Sequence, residues 1–342
     1  MTNGEELRTH GDMFARDGLL DFAVNVWPGR HPSELRGAME RALRSGYPDE
    51  RRAVEAVARH HGRAPEEVLL LNGACEGFWL LAHALRPARA ACVHPSFTEP
   101  EAALRAVGAE ITRVQRLEPD FRLDPAAVPA DAQVVVVGNP NNPTGNLDPA
   151  ERLLELVRPG RLLVVDESFM EFVPDEQESL ASRRDLRGLV IVRSLTKLWS
   201  LAGVRAGYLL ADPALVTRLA GQRQPWSVNA PACSALELCA SDRLARQAVT
   251  ESVRRARAAL AAQLRRIPGL EVWPSEANFL LLRVPDGPCV EQRLRAQGIA
   301  VRPARTFPGL GDDHFRIAVR RETENRRLAR ALAEALGAGK ER

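Results

Sequence analysis

Val134-Val135-Val136-Val137-Gly138-Asn139-Pro140-Asn141-Asn142-Pro143-Thr144-Gly145 is a β-branched run that stops in a turn built from Pro, Gly and Asn. Four valines without alternation read as a strand buried on both faces, the habit of a parallel sheet covered by helices. Pro and Asn then close the turn, because one presets φ and the other hydrogen-bonds its own backbone. The same texture recurs outward: Val68–Leu71, Ala90–Val93 and Ile111–Val114 before it, Leu162–Val165, Leu189–Val192 and Ala206–Leu210 after it. Seven such runs, alternating with helical stretches, predict an α/β fold with a mainly parallel seven-stranded sheet. In an open sheet of this kind, ligand groups gather at the carboxyl ends of the strands.

Past Pro225 the texture changes to a long Arg/Ala-rich helical stretch ending near Ile267-Pro268-Gly269. Strand-like Glu271–Trp273, Phe279–Val284, Ile299–Arg302 and Phe315–Val319 follow, then an amphipathic helix from about Glu322 to Leu336. This predicts a large α/β domain over 31–225 and a smaller α+β domain over 226–342, with residues 1–30 packing on the smaller one. The chain has 342 residues, beyond the ~250–300 at which a single core stops growing, which agrees with two domains.

Hydrophobic residues at 45% and charged residues at 27% exclude a mostly disordered chain. A net charge of +3 argues against nucleic acid or a membrane surface as partner and leaves a small molecule. No apolar run reaches the ~18 residues of a membrane span and the first residues lack the apolar stretch of a secretory signal, so a cytoplasmic protein is expected. Five scattered cysteines without a C-x-x-C pair (Cys75, Cys92, Cys233, Cys239, Cys289) suggest reduced, mostly buried thiols, neither a disulfide framework nor a zinc site. The adjacent His60 and His61 are expected to face solvent rather than a metal.

Of 47 basic residues only Lys197 and Lys340 are lysine, and Lys340 lies in a polar tail. Arginine does not lose its proton, whereas a lysine can be tuned to a free amine that forms Schiff bases with carbonyls. Lys197 closes Val192-Arg193-Ser194-Leu195-Thr196-Lys197, and Ala202-Gly203-Val204-Arg205-Ala206-Gly207 follows. Ser194, Thr196 and Arg205 form a set suited to a phosphate ester beside that amine. Asn72-Gly73-Ala74-Cys75-Glu76, leading into a helix over Gly77–Leu85, offers a second phosphate element at a helix N-terminus. Asp166 of Asp166-Glu167-Ser168-Phe169 puts a carboxylate at a strand end, the three asparagines Asn139, Asn141 and Asn142 offer amides, and Phe97 of His94-Pro95-Ser96-Phe97-Thr98 can stack on a flat ring. Amine, carboxylate, aromatic plate and phosphate cup together describe a site for pyridoxal 5′-phosphate, and no G-x-G-x-x-G or Walker sequence competes.

The order NPNNPTG, DESF, SLTK and GVRAGY resembles the fold-type I aminotransferase superfamily of pyridoxal-phosphate enzymes along essentially the whole chain. Within it, Leu20–Asn25, Gly46-Tyr47-Pro48-Asp49, Pro225-Trp226-Ser227-Val228-Asn229-Ala230, Ala277–Arg283 and Phe307-Pro308-Gly309-Leu310 are similar to the threonine-phosphate decarboxylases of cobalamin biosynthesis, relatives of the histidinol-phosphate aminotransferases. The resemblance implies that Lys197 carries the cofactor as an imine, Asp166 pairs with its pyridinium nitrogen and Asn142 donates to the ring hydroxyl. Phe97 would stack on the ring. Ala74, Cys75, Ser194, Thr196 and Arg205 would hold the cofactor phosphate, joined by Tyr47 from the neighbouring subunit of a homodimer. Arg316 matches the arginine for the substrate carboxylate and Arg302 one for the substrate phosphate, with His10 and Asn25 on the substrate side. Phe169 stands where the aminotransferases of this group carry a tyrosine, which favours the lyase.

Three activities follow from these residues: decarboxylation of L-threonine O-3-phosphate, transamination of histidinol phosphate or another amino acid, and ligand sensing without catalysis. The last is set aside, because regulators that borrow this fold carry an added DNA-binding domain and no basic segment for one occurs.

Overall fold

The computed structural model describes residues 7–15, 18–29 and 32–337. Lys340, and residues 1–6, 16–17 and 30 of the expected N-terminal segment, lie outside the described residues.

The chain enters with the two-residue strand β1 (Leu20–Asp21) and then builds β2 (Val68–Asn72), β3 (Arg89–His94), β4 (Glu110–Gln115), β5 (Val134–Gly138), β6 (Leu162–Asp166), β7 (Leu189–Ser194) and β8 (Ala206–Leu210). Strands β2 to β8 form one seven-stranded sheet in the order β2-β8-β7-β6-β5-β3-β4. Only β8 runs against both its neighbours, so the expected mainly parallel sheet is present. Its side chains alternate between two apolar layers: Val135, Val137, Val165 and Ile191 enter one, Val134, Val136, Val164 and Val192 the other. Period-two alternation with both faces apolar explains why these strands read as continuous hydrophobic runs. Burying each such side chain is worth about 1.5–3 kcal/mol.

The register sets Gly138 beside Asp166 and Asp166 beside Val192, so β5, β6 and β7 end side by side. The helix after β2 spans Ala74–Leu85, three residues earlier than its expected start, because Gly73 at φ +80° turns the chain straight from strand into helix.

Beyond the large sheet, β9 (Glu271–Val272), β10 (Phe279–Arg283), β11 (Ile299–Ala300), β12 (Arg302–Pro303) and β13 (His314–Ala318) complete the strands. Antiparallel pairing in the order β12-β13-β10-β9 makes a second sheet, and β1 pairs in parallel with β11. The run read as one strand over Ile299–Arg302 is therefore split between two sheets. Helix Gly287–Ala296, unread in the sequence, and helix Glu322–Gly337 cover this unit. Phe22 joins its core, which ties the chain after β1 to the small unit.

Packing does not change hands at residue 225. Helix Ala230–Ser241 buries Ala232, Cys233, Ala235, Leu236 and Cys239 in the core of the large sheet. Helix Arg243–Leu264 then crosses over, with Val253 in that core and Leu260, Ala261 and Leu264 in the small one. We place the domain boundary along this helix.

The cysteines are free thiols, with Cys92, Cys233 and Cys239 buried and Cys75 and Cys289 partly so. His61 does not face solvent: it is buried, with Nε2 2.8 Å from the Tyr208 hydroxyl, and His60 Nε2 accepts from Arg246 Nη1 at 3.2 Å. Both rings sit in the packing between the helices and β8, and burial, which comes first, followed by nearby guanidinium charges, lowers their pKa values. Among the described residues, no helix is long and apolar enough to cross a membrane.

Candidate active site

A cavity of about 570 Å³ opens where the ends of β5, β6 and β7 face the small sheet. The turn after β5 shows how local chemistry aims one side chain into it. Asn139 is consumed by the turn itself, its Nδ2 donating to Asp148 O at 3.0 Å while Oδ1 accepts from Asp148 N at 2.8 Å. Asn141 is also consumed, donating to Pro95 O and Thr144 Oγ1, both at 2.8 Å. Asn142 alone of the three lines the cavity, and its Oδ1 accepts from Arg316 Nη1 at 2.7 Å. With the oxygen committed, the amide nitrogen is the end left for a ligand.

Asp166 caps β6 and bonds Ser168 N through Oδ1 at 3.0 Å. Burial raises its pKa, opposed by the Ser168 hydrogen bonds and by the charge of Lys197. The next residue, Glu167, is bound by Arg193 of β7: Nε donates to Oε2 at 2.9 Å, and Nη2 reaches Glu176 at 2.7 Å. This buried clamp ties the strand end bearing Asp166 to the one bearing Ser194. Breaking one partner of such a pair costs about 3–5 kcal/mol.

Lys197 lies in the loop after β7, pinned where Trp27 N donates to its carbonyl at 3.0 Å. Its amine stands 5.9 Å from the Phe169 ring centroid. Burial first, then the charges of Arg316 and Arg205, lower its pKa to about 8, with Asp166 opposing. Ser194 Oγ and Thr196 Oγ1 are 2.8 Å apart, and Ala74 and Cys75, which open helix Ala74–Leu85, line the same cavity. Arg205 reaches this corner over Gly73, where a Cβ would collide with the guanidinium. Partly buried Phe97 forms a wall between Phe78, 6.4 Å away, and His10, 5.4 Å away.

On the other side stand two buried arginines. Arg302 of β12 is paired in register with Arg316 of β13. The Arg302 guanidinium lies over Phe14 at 4.8 Å and Phe307 at 5.1 Å, with Nη2 on Thr9 O and Thr306 Oγ1. Burial, then Arg305, lowers its pKa to about 10; burial, then Arg302, lowers that of Arg316 to about 9. Arg302 Nη1, Arg316 Nε and Asn25 Nδ2 are buried without a hydrogen-bond partner among the described residues. Charges so poorly solvated gain strongly from an incoming anion.

The sequence-predicted residues are thus brought together: His10, Asn25, Ala74, Cys75 and Phe97 line the cavity with Asn142, Asp166, Ser194, Thr196, Lys197, Arg205, Arg302 and Arg316. Tyr47 is the exception. It is 78% exposed and stacks on Trp226 at 4.4 Å, away from this chain's cavity. Arg8, Trp79 and Glu99 line the cavity without having been read from the sequence. For Trp79 a signal existed, since it lies four residues after Cys75 on one helix face.

A tuned amine, a strand-end carboxylate, an aromatic wall, and hydroxyls beside an arginine and a helix N-terminus fit a phosphorylated pyridine aldehyde. The family model for "aminotransferase class I and II" matches residues 19–332. The chain belongs to that family. Its cofactor is pyridoxal 5′-phosphate. Across 322 residues it is 47% identical to a histidinol-phosphate aminotransferase of Mycobacterium tuberculosis, covering 92% of this chain and 87% of the relative. It is 36% identical to the threonine-phosphate decarboxylase of Salmonella typhimurium, over 94% of this chain and 92% of the relative. The crystal structure of the histidinol-phosphate aminotransferase from Clostridium acetobutylicum superposes with a TM-score of 0.88 at 24% identity, covering 94% of this chain and all of that one. That superposition establishes the fold-type I architecture.

Proposed function

We propose that this member of the family decarboxylates L-threonine O-3-phosphate to (R)-1-aminopropan-2-yl phosphate. The observation that carries the reading is the pair of buried, incompletely partnered arginines, Arg302 and Arg316, beside Asn25. They offer two clamps for an amino acid with a second anionic group.

When bound, the cofactor supplies an electron-accepting ring conjugated to the substrate Cα. In this reading Lys197 carries it and handles the proton at Cα, and Asp166 supports positive charge at the ring nitrogen. Asn142, oriented by Arg316, serves the ring oxygen, and Phe97 stacks on the ring. Ala74, Cys75, Ser194, Thr196 and Arg205 hold the cofactor phosphate, with Tyr47 reaching it from the neighbouring subunit of a homodimer. Arg316 takes the substrate carboxylate and Arg302 its phosphate, flanked by His10 and Asn25. Two anions fixed at once set the rotation about the Cα–N bond, and so decide which Cα bond is aligned with the electron sink. Phe169 offers no hydroxyl at the wall beside Lys197, which favours the lyase.

The relatives support both readings. The 36% identity to the Salmonella decarboxylase speaks for decarboxylation, and the 47% identity to the mycobacterial aminotransferase for transamination of histidinol phosphate or a related amino acid. Labelled carbon dioxide from carboxyl-labelled phosphothreonine, measured with and without 2-oxoglutarate, separates them. Release without the keto acid is expected; no labelled carbon dioxide, with glutamate formed from 2-oxoglutarate, promotes the aminotransferase. Arg302→Ala is expected to lose roughly 2–4 kcal/mol of transition-state stabilisation on the phosphorylated substrate and much less on threonine.

A further inference from the structure

Helix Glu99–Ala106 starts at the rim of the cavity, and its first residue is a buried carboxylate surrounded by donors. His10 Nε2 lies 2.6 Å from Glu99 Oε1, and Arg8 Nε lies 3.2 Å from the same oxygen. Trp79 Nε1 donates to Oε2 at 2.8 Å, and the Cys75 thiol approaches it at 3.6 Å. Burial alone would raise this carboxyl; the His10 and Trp79 hydrogen bonds, with the charges of His10 and Arg8, outweigh it and leave its pKa lowered. The helix N-terminus favours an anion there as well.

The consequence reaches the segment that crosses the cavity. Thr98 Oγ1 donates to Leu7 O at 2.6 Å, and from the small sheet Arg302 Nη2 donates to Thr9 O at 2.6 Å. Arg8 lies over the Trp79 ring at 5.1 Å. With Nε2 turned to Glu99, Nδ1 is the ring nitrogen of His10 left for a ligand. His10 lines the same cavity as Arg302, whose Nη1 is buried without a partner among the described residues.

We propose that Glu99 is a positioning residue for substrate recognition: it holds His10 over the cavity, so that the imidazole and Arg302 together grip the substrate's phosphate. The inference rests on the phosphorylated-substrate reading for its ligand. Glu99 does not repel that phosphate, because Arg8 pairs with its charge and Trp79 donates to its other oxygen. Its effect passes through His10.

The test uses the cofactor-loaded protein, in which the cofactor's own phosphate site is filled. Hydrogen exchange of a peptide covering residues 7–15 is followed as inorganic phosphate is added. Glu99→Ala and His10→Ala are each expected to raise the half-protecting concentration about tenfold, and the double variant to raise it no further, because two changes on one path do not add. In Glu99→Ala, KM for phosphothreonine rises by the same factor while kcat holds within about threefold, and KM for threonine does not move. Glu99→Gln keeps an acceptor for Trp79 without the charge, serves where the alanine variant fails to fold, and falls between parent and Glu99→Ala. Additive losses in the double variant, or protection lost in His10→Ala but kept in Glu99→Ala, overturn the role of Glu99 alone. A parent segment that phosphate does not protect overturns the phosphate grip and the phosphorylated-substrate reading together.

Discussion

Lys197 shows what one side chain gains from its surroundings. An amine attacks a carbonyl only when neutral, and burial with the Arg316 and Arg205 charges brings its pKa to about 8. Because the shift is downward, the neutral amine is available from about pH 8 upward rather than from the ordinary lysine value of about 10.4. Uptake of pyridoxal 5′-phosphate by cofactor-free protein, followed by absorbance, is therefore expected to rise with pH to a midpoint near 8 and then level off. Arg316→Met removes a neighbouring positive charge and is expected to move that midpoint up. A midpoint in the ordinary lysine range for the parent would show that burial does not tune the amine. Borohydride reduction and peptide mapping should find the pyridoxyl group on Lys197, and Lys197→Arg should abolish uptake with charge retained; label on Lys340 alone would contradict the assignment.

At the scale of elements, the phosphate corner depends on β2 meeting helix Ala74–Leu85 and on Arg205 lying against that junction. Gly73 has φ +80°, and a Cβ there meets Arg205; Gly108 has φ +85° with no atom within 4 Å of a Cβ. Both alanine variants carry backbone strain of at least about 1–2 kcal/mol, more at Gly73, whose ψ of 154° with positive φ lies in a region essentially reserved for glycine. Thermal melts should therefore register both, while, if Arg205 holds the cofactor phosphate as proposed, only Gly73→Ala weakens cofactor binding by roughly tenfold or more, since its Cβ alone meets that guanidinium. Equal cofactor affinity in the two variants would remove Arg205 from the phosphate corner.

For the whole molecule, the telling feature is the exposed stack of Tyr47 on Trp226, with relative exposures of 78% and 58%. Large aromatics held rigidly at a surface suit an interface, where the ring buries area and the hydroxyl finds a partner. If Tyr47 serves the neighbouring subunit's cofactor, mixing Tyr47→Phe with Lys197→Ala subunits yields heterodimers with one doubly damaged site and one intact site. Activity should then exceed that of the Lys197→Ala protein and track heterodimer content. No recovery beyond the residual activity of unmixed Tyr47→Phe would mean that each site is built within a single chain.

The seven-stranded sheet, and the residues that gather at its strand ends, were legible along the chain. Runs such as Val134–Val137 are apolar on both faces, which leaves a helix-covered parallel strand as their natural solution, and Lys197 stands alone in an arginine-rich body. Both signals are local, carried by neighbours along the chain. The tertiary structure alone decided what depends on distant approach. The split of Ile299–Arg302 between two sheets, the seating of helix Ala230–Ser241 on the large core, and the burial of His61 against Tyr208 all follow from packing between elements far apart in sequence. The resemblance singled out Asn142 among Asn139, Asn141 and Asn142, but the physical reason is tertiary, because Asp148 and Pro95 claim the first two. Glu99 was invisible for the same reason. A lone glutamate at a helix start reads as a solvated cap until the fold brings Arg8, His10 and Trp79 around it.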